Sequence, residues 1–83
     1  MTRFTTESGS VYEIRNTPWD YQEVRRVNPD APKRADGQWV RLIDVSPLVE
    51  GRAVILLTAS PDGPDSATYR TTTIVTSIER SAA

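Results

Sequence analysis

The chain has neither cysteine nor histidine in 83 residues. Without cysteine there is no disulfide and no thiolate metal site, and without histidine the usual general base and most zinc chemistry are gone. The remaining polar chemistry is carboxylates, hydroxyls and cations. The four glycines stand singly, so no glycine-rich phosphate loop is present. No apolar run reaches the length of a membrane span, and MTRFTTESGS has no apolar signal-peptide core. We therefore expect a cytoplasmic protein without membrane contact. Ten basic side chains against eleven acidic ones leave no excess positive charge for a nucleic-acid backbone, although a local basic patch stays open. An enzyme is not expected, and neither is a cofactor.

What is present is strand-forming sequence for one small domain over residues 1–83. The stretch 39–58, WVRLIDVSPLVEGRAVILLT, holds the two densest apolar runs, with turn residues Ser46, Pro47, Glu50 and Gly51 between them. That gap is too short for a parallel crossover, so the runs are expected to pair antiparallel. Upstream, Phe4 and Thr6 share one face of a short strand, Gly9 opens a turn, and VYEIR alternates with Tyr12 and Ile14 on one side. Residues 16–20 read as a turn around Pro18. YQEVRRV at 21–27 is ambiguous: Val24 and Val27 stand one helical turn apart, yet the segment lies between Pro18 and Pro29 and is short for a helix. A strand is favoured, with a short helix at 21–27 in an α+β fold as the alternative.

Residues 29–37 and 59–67 read as mobile loops, and 80–83 as a frayed end. The threonine-rich segment from Thr68 to Glu79 favours extended chain. Its apolar parity slips midway, predicting a bulge or bend at residues 73–75 where one strand serves two sides of a barrel. The fold expected is all-β: a five- to six-stranded antiparallel SH3-like barrel or strongly bent sheet with mostly meander connections. A core this small gains little over its conformational entropy, which makes self-association through an edge strand a further expectation.

Four groups of residues are candidates for function. Trp19 and Tyr21 flank Asp20 at a turn beside Pro18, either as an exposed recognition surface or as a plug over an open barrel end; the shortage of core favours the plug. Arg25 and Arg26, with Lys33 and Arg34 after them, are the densest basic region, but Asp20, Glu23, Asp30 and Asp36 intersperse it and favour a solvated mixed-charge face. Thr71, Thr72 and Thr73 read as the outward face of an edge strand, open to β-augmentation. Asp30, Asp36, Asp62 and Asp65 lack the spacing of a calcium loop and read as solvated loop charges.

The run from Thr6 through SGSVYEI, the Gly37-Gln38-Trp39 triplet, Val49 and Gly51 ahead of an apolar run, and the close over residues 72–78 together resemble short uncharacterised proteins of actinobacteria and their phages. The similarity spans most of the chain. Its motifs are turn glycines, core aromatics and strand residues, so it implies a shared small β-fold and no catalytic assignment. It also implies a phage or prophage accessory setting. The function expected is a non-catalytic protein-binding module that modulates a host protein through Trp19, Tyr21, Arg25, Arg26 and Thr71 to Thr73. The alternative is a small barrel that binds single-stranded nucleic acid on the same face.

Overall fold

A computed structural model describes residues 1–27, 37–59 and 66–81. Their alternating patterns become six strands: β1 (Thr2–Thr6), β2 (Val11–Asn16), β3 (Gln22–Val27), β4 (Val40–Val45), β5 (Ala53–Ala59) and β6 (Ala67–Arg80). Each pairs antiparallel with the next and β6 returns to β1, closing a meander barrel. The described residues contain no helix, so none is long and apolar enough to cross a membrane.

Segment 21–27, the one place where a helix competed, is strand. β3 pairs with β2 along its whole length, from Val11 opposite Val27 to Asn16 opposite Gln22, and with β4 from Gln22 to Val24. Val24 faces inward and is buried, while Val27 lies on the other face and is half-buried. The three-residue spacing that resembled a helical turn is one apolar residue on each side of a ribbon.

Inward residues of all six strands meet in one core: Phe4, Tyr12, Ile14, Val24, Leu42, Val54, Leu56 and Val75. Phe4 and Tyr12, opposite each other across β1 and β2, stack with centroids 5.0 Å apart. The two apolar runs at 39–58 do pair antiparallel, but they give the core only alternate residues, leaving Ile43 and Ile55 about half exposed.

The predicted bend in β6 is present. Residues 67–74 pair with β5 and residues 75–80 with β1, with a register shift where Ile55 faces Thr71 and Ala53 faces Ile74. The changeover is gripped from both sides. Glu7 N–H donates to the Ile74 carbonyl (2.8 Å), Val75 N–H donates to Arg52 (2.9 Å), and Gly51 N–H donates to Val75 (2.8 Å). At the other end, Arg80 is paired with Thr2 and Ser81 N–H donates to the Met1 carbonyl, so the fray expected from residue 80 does not begin there. Residues 82–83 and most of the loops expected at 29–37 and 59–67 lie outside the described residues.

The β1–β2 turn needs its glycine, because Gly9 has φ of 87° while its N–H donates to Thr6. A Cβ there meets open space, so only backbone strain is at stake. Gly9→Ala should cost about 1–2 kcal/mol, read as a lower urea midpoint at unchanged slope.

Candidate functional site

Outward residues of β6 and of β1 to β4 build a continuous cross-strand array of arginine, carboxylate and aromatic rings. In one row Glu79 lies opposite Arg3, Arg3 opposite Glu13, and Glu13 opposite Arg25. The Arg3 Nε and Nη2 groups donate to Glu13 Oε2 (3.1 and 2.7 Å), and Arg25 Nε donates to Oε1 (2.7 Å). Glu13 has outward parity, yet it is only 1% exposed. Donation from Arg3 foremost, with Arg25 adding to it, outweighs burial and holds the Glu13 carboxyl below its ordinary range.

Trp39 closes this row. The Arg25 guanidinium lies 4.6 Å from its ring centroid and that of Arg15 lies 3.9 Å away, both within cation–π range. Arg15 in turn donates through Nε and Nη2 to Glu23 Oε1 (3.0 and 2.8 Å). Here each cation that touches an indole is already ion-paired with a carboxylate.

The β2–β3 turn is different. Its backbone is closed by Thr17 N–H donating to the Tyr21 carbonyl (3.2 Å), and the Thr17 hydroxyl accepts from Trp19 N–H (3.2 Å) while donating to the Tyr21 carbonyl (2.8 Å). The turn thus held presents Trp19 to solvent at 68% exposure, its ring nearly parallel to that of Tyr21 at 6.1 Å. Arg41, from β4, places its guanidinium 4.7 Å from the Tyr21 centroid. Among the described residues Arg41 has no ion-pair partner. Glu23 stands opposite Arg41 across β3 and β4 but hydrogen-bonds Arg15 instead, so Trp19, Tyr21 and Arg41 make an amphipathic stack with one open indole and one guanidinium that forms no ion pair among the described residues.

Trp19 is consequently no plug; the barrel is filled from within by Phe4, Tyr12 and their neighbours. Arg25 and Arg26, both expected at the contact surface, lie on opposite faces of β3, because consecutive strand residues face opposite ways. Arg26 sits opposite Tyr12 and donates through Nη2 to Ser10 Oγ (3.1 Å), with its Nε buried and without a hydrogen-bond partner.

The threonine run divides three ways. Thr71 is exposed opposite Ile55. Thr72 is buried, accepting from Val54 N–H (3.0 Å) and donating to the Thr73 carbonyl (2.7 Å). The Thr73 hydroxyl accepts from Ser8 N–H (3.2 Å) and donates to Ser8 Oγ (3.1 Å). Lys33, Arg34, Asp30, Asp36, Asp62 and Asp65 lie outside the described residues.

No family model, curated protein or solved structure matches this chain. Sequence reasoning missed Arg15, Trp39 and Arg41. Trp39 and Arg41 do alternate visibly in WVR, but their partners Arg25, Arg15 and Tyr21 are defined only by the β2–β3–β4 register.

Proposed function

We propose that this barrel is a non-catalytic protein-binding module whose contact surface is the Trp19–Tyr21–Arg41 stack, with the exposed Ile43 beside it. One observation carries the reading: a tryptophan held outside the barrel by a hydrogen-bonded turn and backed by a second ring. Tryptophan, tyrosine and arginine are the residues that dominate binding energy at protein interfaces, and a ring whose backbone is already held in a closed turn has less freedom to lose on contact. The resemblance to phage and actinobacterial proteins makes a host protein the proposed target.

Single-stranded nucleic acid is the weaker reading. It favours stacked rings beside arginine, but Arg15 and Arg25 are engaged in ion pairs with Glu23 and Glu13, and Asp20 sits within the turn. Backbone binding needs several uncompensated cations together.

The test compares proteins retained from an actinobacterial lysate by the wild-type chain and by a Trp19→Ala, Arg41→Ala double variant. Both altered side chains are exposed, so the variant should melt within about 4 °C of wild type. Truncating an anchor of this kind weakens binding by about 2 kcal/mol or more, roughly 30-fold, so the specific partner should be lost. Equal retention by the variant would overturn the proposal, and capture abolished by nuclease would support nucleic acid instead.

A further inference from the structure

We infer that the chain forms a two-fold symmetric dimer by pairing the first half of β6 with the same segment of a second copy, centred on Tyr69.

The opening lies in how β6 is shared. Residues 67–73 have a β5 partner on one side, and among the described residues no strand pairs on the other, since β1 takes over only from residue 75. An unpaired strand side is a template for another chain, and native proteins normally blunt it with charge or proline. Between residues 67 and 73 the only charge is Arg70, and there is no proline. Residues 76–80 pair with β1 and, among the described residues, with no strand on their other side, but that stretch carries both Glu79 and Arg80 and is protected in the usual way.

Self-complementarity selects the register. In an antiparallel pair, facing residues point to the same side of the sheet, so a two-fold axis perpendicular to it must pass between a residue and its own copy. Centring on Arg70 would oppose two guanidiniums. Centring on Thr71 would bring Thr73 into the pair, where its hydroxyl is already engaged by Ser8 of the β1–β2 turn.

Centring on Tyr69 avoids both and places Thr68 opposite Arg70 and Ala67 opposite Thr71. It also joins Leu57, which faces Tyr69 across β5 and β6, into one apolar row: Leu57, Tyr69, then Tyr69 and Leu57 of the second copy. Tyr69, at 73% exposure one of the most exposed large apolar side chains, acquires an aromatic partner. The shared area is small, so Kd should be on the order of 100 μM.

The absence of cysteine allows a register-specific test. Facing residues have Cα atoms about 4.5–5.5 Å apart, within disulfide reach, whereas two copies of residue 71 would be about 14 Å apart. Under oxidation Tyr69→Cys should yield a disulfide-linked dimer and Thr71→Cys should not. Sedimentation of wild type from about 10 μM to about 1 mM should show a monomer–dimer transition, and Tyr69→Lys should raise Kd at least tenfold while leaving the dilute protein's melting temperature unchanged. A wild type that stays monomeric throughout, a Tyr69→Lys variant that dimerises normally, or cross-linking at 71 as fast as at 69 would each overturn the inference.

Discussion

Replacing Glu13 with alanine should destabilise the barrel by about 2–3 kcal/mol at neutral pH, which lowers the melting temperature of so small a domain by roughly 10–20 °C. The carboxylate accepts three hydrogen bonds from Arg3 and Arg25 and has almost no exposed surface. Removing it leaves two guanidiniums that point at the same vacated site. Breaking a fully buried pair costs more, but the side chains of Arg3 and Arg25 are 49% and 35% exposed and water recovers part of the loss. Arg25 also loses the group that positions it over Trp39, so the tryptophan environment should change in the folded state.

The same site gives an acid dependence of defined sign. Arg3 and Arg25 hold the folded-state Glu13 carboxyl below its unfolded value. The charged form therefore contributes stability in full above the unfolded pKa of about 4.3, and that contribution disappears as pH falls through the lowered folded value. Glu13→Gln removes the titration while keeping the volume. Urea unfolding of wild type and variant should show a gap that is constant from about pH 7 to about pH 5 and narrows steadily below about pH 4.3; a gap that widens in acid would contradict the assignment.

Phe4→Ala should cost still more, about 3–5 kcal/mol, and at 37 °C should leave much of the population unfolded. Phe4 has no exposed surface, is among the largest fully buried side chains, and stacks on Tyr12. β1 is also the strand on which the barrel closes, joining β2 to β6. A cavity at Phe4 thus loosens the seam as well as the core. Phe4→Leu, which retains most of the apolar volume, should lose distinctly less. Near-ultraviolet circular dichroism together with urea unfolding separates the outcomes, and an alanine variant as stable as the leucine variant would mean that the ring is not the seam's anchor.

Much of this fold was legible because strand signals are local. The alternation in VYEIR assigned Tyr12 and Ile14 to the interior, Gly9 marked its own turn, and the parity slip between Tyr69 and Ile78 announced the bend in β6. The candidate site was only half legible. Trp19 and Tyr21 drew notice by standing beside Pro18, but whether that pair covers the barrel or faces water depends on whether the interior is already full.

What the sequence by itself determined is therefore the class of the fold, the antiparallel pairing of its two apolar runs and the direction in which most strand residues point, because period-two alternation and turn chemistry act over a few residues. Only the tertiary structure decided that the sheet closes on itself, that Glu13 is buried on the outward face, that Arg41 and not Arg26 accompanies the exposed rings, and that Thr72 and Thr73 are occupied within the barrel while Thr71 is exposed. Each of those depends on which residue of a neighbouring strand stands opposite, and a register shift of one residue would reassign them all.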